Sequence, residues 1–422
     1  MHRPYLWRMY PGLLLLAIGC LAQSPGTPQA LTWQATQAKF RANNPTLLAG
    51  QANISEAKAQ EITAYLRPNP DLTLGLDQIT PLSGSPYRPL WQSYAYGDIS
   101  YLHEREHKRE LRLEDAKENT KITTETQNDL ERNLMFNLRD AFNRVLLAKA
   151  VLQTTRDNLA YYDQEIAIGK TRYQAGDIAQ VDFERIELQR VQYESDVQNA
   201  LVSLRTAKID LIALLGEHTP VEQFDVTGKF EFEDNLKPVE ELRQIALAER
   251  PDLQQAVTGL ERARTDYRLA VANGSSDPTF GLDGSHQAPP LNVYIGLSVS
   301  IPLRIFDRNQ GEKLRTQIDI ARNGKLVTAA QLDVYHDVDS AYATLASTLD
   351  LLRPYKQKYL QEALDIREKV SFSYLHGAAS LLDFLDAQKE YRDTELNYLN
   401  LVGAYFSSAN QVNLAVGREV IE

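Results

Sequence analysis

The 422-residue chain has no run of about 18 apolar residues, the length a helix needs to span a bilayer, so any membrane passage must be made by strands. It has one cysteine, Cys20, so no internal disulfide can form and stability must come from packing. It lacks a basic excess: 45 Lys and Arg stand against 56 Asp and Glu. That balance argues against a nucleic-acid or anionic-lipid surface as partner. No Gly-rich phosphate loop, nucleophile elbow or paired-carboxylate motif is present, and the sequence calls for no cofactor.

What is present begins with 43% hydrophobic residues, enough to bury a large core, at a mean hydropathy of -0.38. His2, Arg3 and Arg8 precede a short apolar stretch, Leu13 to Ile18, the layout of an export signal over residues 1–22. Two cleavage points compete. Ala17-Ile18-Gly19-Cys20 is an imperfect lipobox that would lipidate Cys20, and Cys20-Leu21-Ala22 is a plain small-x-small site. Removing the signal leaves 43 basic against 56 acidic residues.

The chain repeats itself. Pro45-Thr46-Leu47 answers Pro251-Asp252-Leu253, and Leu74-Gly75-Leu76-Asp77 answers Phe280-Gly281-Leu282-Asp283, both at an offset of 206. A second block holds an offset of 201, pairing Tyr173, Gly176, Asp182, Phe183, Glu194 and Gly216 with Tyr374, Gly377, Asp383, Phe384, Glu395 and Gly417. We read two copies of one unit, 31–216 and 240–417, joined by a connector at 217–239.

Each unit shows a helical lead-in, two short strands and two very long helices. An apolar residue recurs every seven positions at Leu138, Val145, Leu152, Leu159, Ile166 and Tyr173, and a second seam after Gly176 runs through Ile186, Tyr193, Ala200, Ala207 and Leu214. Such seams predict antiparallel coiled-coil helices joined at a Gly turn. The first is expected from about Glu104 to Ala175, roughly 105 Å at 1.5 Å per residue.

Strands are expected at Asp71 to Ile79, Ser93 to Leu102, Pro278 to Ser285 and Asn292 to Leu303, each near the 9–11 residues that cross a bilayer when tilted. In the last, Val293, Ile295, Leu297, Val299 and Ile301 alternate with Asn292, Tyr294, Gly296, Ser298 and Ser300. Strands in lipid must close into a barrel, yet four are fewer than the eight or so of the smallest filled barrel. Three chains would supply twelve.

The sequence resembles the TolC-like outer-membrane efflux family. The likeness lies in Asn44-Pro45-x-Leu47, Arg67-Pro68-Asn69-Pro70-Asp71-Leu72, Gly296-Leu297-Ser298-x-x-Ile301-Pro302-Leu303 and the two Tyr-x-x-Gly tips. Lys108-Arg109-Glu110-Leu111-Arg112 is similar to the heavy-metal and cation branch. The resemblance implies a mixed membrane α/β fold in which a homotrimer forms a 12-stranded outer-membrane β-barrel and a periplasmic α-helical barrel. It implies an outer-membrane exit duct, not an enzyme, with a periplasmic adaptor, an inner-membrane pump of the RND type and outer-membrane lipid as partners. It further implies an acidic aperture ring at Asp383 and Asp386, with Asp182 the repeat-related residue, and adaptor-docking tips at Tyr173, Gly176, Tyr374 and Gly377. One departure is Ala379, where members that latch the tip carry Arg.

One pattern points elsewhere. His103-Glu104-Arg105-Glu106-His107 matches HExxH, which binds zinc when both His share a helix face. Its flanks, Lys108, Arg109, Glu110 and Arg112, leave no apolar face to bury, and the repeat puts it at a strand-to-helix junction.

Overall fold

The computed structural model describes residues 30–79, 86, 90, 93–286 and 293–421; the signal segment, Cys20 and most of the two loops at 80–92 and 287–292 lie outside the described residues. Each half of the chain builds the same succession of elements. In the first, α1 (Trp33–Asn43) and α2 (Pro45–Tyr65) lead to β1 (Asp71–Asp77) and β2 (Tyr94–Leu102), then to α3 (Lys108–Ala175) and α4 (Gln180–Leu214). In the second, α5 (Val239–Glu249) and α6 (Pro251–Asn273) lead to β3 (Thr279–His286) and β4 (Val293–Ser300). α7 (Gln310–Pro354), α8 (Leu360–Leu375) and α9 (Leu381–Val416) follow.

Two expectations about the long helices need correction. α3 starts at Lys108, not Glu104, because Glu106 and His107 both sit at φ 54°, a left-handed conformation that no α-helix includes. Its 68 residues still reach about 102 Å. The equivalent helix of the second half is not continuous: a π turn, Tyr355–Tyr359, separates α7 from α8. Pro354 lies just before it, and a proline cannot donate the helical hydrogen bond and crowds the preceding turn.

The lead-in helices break at equivalent points for different reasons. Asn44 caps α2 by accepting from the Thr46 and Leu47 amides, with Pro45 preset for the first turn. Arg250 holds that place before α6. It is buried, pairs in a fork with Asp252 at 3.0 and 2.5 Å, and reaches Asp337 of α7 at 2.8 Å. Removing it strands two carboxylates, though both are partly solvated. Arg250→Ala is therefore expected to cost about 2 kcal/mol, below the 3–5 of a fully buried pair. Arg250→Lys should recover less than half, because an ammonium cannot form the fork. Thermal unfolding followed by circular dichroism checks both; unchanged curves would refute the assignment.

Two apolar clusters hold the two halves. One packs α1, α2, α3 and α4 through Phe40, Leu47, Leu138, Phe142, Leu211 and Leu215. The other packs α5, α7 and α9 through Leu242, Val338, Leu345, Leu349, Tyr405 and Val412. The connector is shared: Val226 joins the first cluster and Phe232 the second. Leu31 of the N-terminal segment forms a parallel bridge to Val226.

The four strands form one antiparallel sheet in the order β1-β2-β3-β4. The register puts Leu72, Ile99, Leu282 and Leu297 in one cross-strand row, all exposed. The opposite face carries the row Thr73, Asp98, Asp283 and Gly296. Among the described residues, the outer edges of β1 and β4 pair with no other strand.

Candidate functional site

The hairpin tips are built alike. At the first, the Asp177 amide donates to Arg172 O at 2.9 Å and the Gly176 amide to Tyr173 O at 3.0 Å. At the second, the Ala378 amide donates to Ser373 O at 2.8 Å and the Gly377 amide to Tyr374 O at 3.2 Å. This double closure needs a left-handed residue, and Gly176 and Gly377 have φ of 83° and 74°. Among the described residues, no atom outside the immediate backbone lies within 4 Å of where a Cβ would stand on either glycine. Both tips therefore present bare backbone to the surroundings.

Behind each glycine an aromatic pair clips the two helices together. Tyr173 stacks on Phe183 with ring centroids 5.5 Å apart, and Tyr374 on Phe384 at 4.8 Å. The pairs differ in exposure: Tyr173 is 37% exposed and Tyr374 only 8%. Tyr374 is covered because Arg172 crosses from the first hairpin, donating to Tyr374 O at 3.2 Å with its guanidinium 5.0 Å from the ring. Arg172 was not singled out from sequence. No motif marks it, and only the packing of the two hairpins brings it to the second tip. Ala379, in the place of the latching Arg, packs against the cluster of Tyr162, Ile186, Tyr193, Tyr374 and Phe384.

Asp383 and Asp386 are both exposed on the first turns of α9, and Asp182 is half-buried on the first turn of α4. The repeats diverge here. Ser380 caps α9 and receives a reciprocal bond, its amide and hydroxyl donating to Asp383 Oδ2 at 3.0 and 2.7 Å. Hydrogen bonds from Ser380 hold the Asp383 carboxyl below the usual range, so it is ionised at neutral pH. The residue capping α4 is Ala179, which offers no side-chain cap to Asp182.

Above the tips the two hairpins meet along a polar and aromatic seam. Arg367 of α8 lies between the rings of Tyr161 and Tyr391, 4.1 and 3.9 Å from their centroids. Asn158 donates to Glu395 at 3.0 Å, and Arg392 stands 3.7 Å from Asp196.

The HExxH stretch does not make a zinc helix. His103 and Glu104 precede α3, and Arg112 engages both oxygens of Glu104 at 2.5 and 2.9 Å. The junction is instead pinned by Lys108, which donates to Asp277 at 2.6 Å and to Ser275 O at 3.0 Å just before β3.

A sheet apolar on one face, polar on the other and open at both edges, continued by helices as long as about 100 Å, is the protomer of an oligomeric membrane duct. The sequence profile described as "Outer membrane efflux protein" matches residues 38–217 and 242–418, and the chain belongs to that family. It is 26% identical to the cobalt-zinc-cadmium resistance protein CzcC of Cupriavidus metallidurans, over 74% of each chain. It is 23% identical to the probable outer membrane lipoprotein SilC of Salmonella typhimurium, covering 88% of this chain and 82% of that one. Among solved structures, CusC superposes with a TM-score of 0.73 at 20% identity, covering 93% of this chain and 96% of that one. The Neisseria gonorrhoeae outer membrane channel MtrE superposes with a TM-score of 0.70 at 17% identity, over 92% and 89%. The protein is an outer-membrane efflux channel. Its fold is that of the trimeric channels, with a shared barrel in the membrane and long helices in the periplasm.

Proposed function

We propose that the chain is the exit duct of a tripartite cation-efflux system, receiving metal cations from an inner-membrane pump of the RND type through a periplasmic adaptor, and that it catalyses nothing. The observation that carries this reading is the four-stranded sheet with two unpaired edges. An unpaired edge is untenable in lipid, so β1 of one protomer must pair with β4 of the next. The cargo is suggested by two relatives, a cobalt-zinc-cadmium resistance protein and the cation efflux system protein CusC.

On this reading the export signal within residues 1–22 is cleaved before Cys20, 31–216 and 240–417 are the two repeats and 217–239 the connector. Cys20 carries lipid, in keeping with the relative named as a probable lipoprotein. Intact mass of the mature protein is expected to show an acylated Cys20; a start at Gln23 would refute the anchor. Asp383 and Asp386, with Asp182 the repeat-related residue, ring the aperture, and three copies would favour cations.

Purified protein should run as a heat-dissociable trimer and conduct in planar bilayers, and a stable, non-conducting monomer would sink the duct. In the conducting trimer, Asp383→Asn with Asp386→Asn is expected to lower the cation-to-anion permeability ratio about threefold. Unchanged selectivity would return both residues to helix capping and solvated surface.

A further inference from the structure

We infer that the barrel holds a second cation-selecting ring, formed by Asp98 and Asp283, in its lumen. This rests on the duct reading above and adds a selectivity element far from the tips. Asp98 of β2 and Asp283 of β3 are direct partners in the sheet register. Directly opposed side chains have Cβ atoms about 4.5–5.5 Å apart, and like charges so placed weaken a sheet. A strand pair designed only for stability would avoid them.

Their face is the lumen, because the alternate row Leu72, Ile99, Leu282 and Leu297 is apolar across all four strands and must meet lipid. Glycines on the neighbouring strands make room for both carboxylates. A Cβ on Gly296 would stand 2.6 Å from Asp283 Oδ1, and one on Gly281 would stand 3.4 Å from Asp98 Oδ1. Both acids thus lie low along the wall. Three protomers bring six carboxylates to one level of the barrel.

A second, independent observation points to an occupant. Ser285, next on the lumen face of β3 toward the outer loops, is 7% exposed, and its hydroxyl has no hydrogen-bond partner among the described residues. In the register it stands between Tyr96 and Tyr294. A buried hydroxyl without a protein partner is satisfied by water, so the wall one residue pair outward of the two acids is a hydrated one. The ring therefore acts on hydrated cations on their way out, through the field it sets rather than by stripping their water.

The test uses the full-length trimer in planar bilayers, with hexaamminecobalt(III) as the probe. Added from the extracellular side, the probe meets the barrel first. Asp98→Asn with Asp283→Asn is expected to raise its half-blocking concentration about tenfold, the low end of what a charged cleft contributes to local counter-ion concentration. Block applied from the periplasmic side, where the tips are met first, should shift less. If the double variant does not assemble, each single variant should give about a threefold rise, half the effect on a logarithmic scale. An unchanged extracellular block, or an equal shift from both sides, overturns the ring while leaving the duct intact. A wild-type trimer that fails to conduct overturns the duct and the ring with it.

Discussion

Leu297→Arg is expected to abolish assembly in the outer membrane, whereas Asp98→Lys, one face over, should be tolerated. Leu297 is 86% exposed at the centre of β4, the most open of the apolar row it shares with Leu72, Ile99 and Leu282. An arginine facing hydrocarbon near the midplane costs about 2–4 kcal/mol, and a trimer would carry three, a total comparable to the whole stability of a domain. Lys at position 98 faces Asp283 across the sheet instead and exchanges a repulsion for an attraction. Heat-dissociable trimer in outer-membrane extracts is the measurement. Normal trimer from Leu297→Arg, or loss from Asp98→Lys alone, would mean that the two faces have been assigned the wrong way round.

That assignment was legible in sequence only in part. The alternation from Val293 to Ile301 gave β4 its two faces, because period-2 burial is a local property. The pairing of Asp98 with Asp283 was not visible, since the two lie in different repeats and meet only once β2 and β3 are placed side by side. The same limit applied at the tips. The glycines were found because a reversal between two heptad seams demands a left-handed residue, whereas Arg172 meets Tyr374 through packing between hairpins. The heptad seam in the sequence runs through Leu159, Ile166 and Tyr173, yet the α3 side chain fully buried at that level is Tyr162, stacked on Tyr193 at 4.5 Å. A buried heptad stripe has two lines, and tyrosine, amphipathic, did not announce itself as core. The π turn escaped as well: Pro354 was the only local sign that the second long helix would not run unbroken.

Gly377→Leu is expected to leave the trimer and barrel intact and to abolish adaptor cross-linking and export. The fold should survive because the space around the missing Cβ is empty and the backbone strain of a left-handed leucine, at φ 74°, is about 1–2 kcal/mol at the end of a long hairpin. The Tyr374–Phe384 pair and the Arg172 contact lie behind the turn and need not move. On the proposal that the six glycine tips of a trimer dock the adaptor, function should fail because an isobutyl group on half of them would hold that partner several ångströms away. Gly176→Leu, in the repeat-related tip, should act in the same direction. Export and cross-linking are measured in cells at matched trimer levels. Normal export would remove the tips from the docking surface. Loss of the trimer itself would mean that the glycine serves the helix cap and nothing beyond it, because only a strained turn, and not a blocked approach, reaches back into assembly.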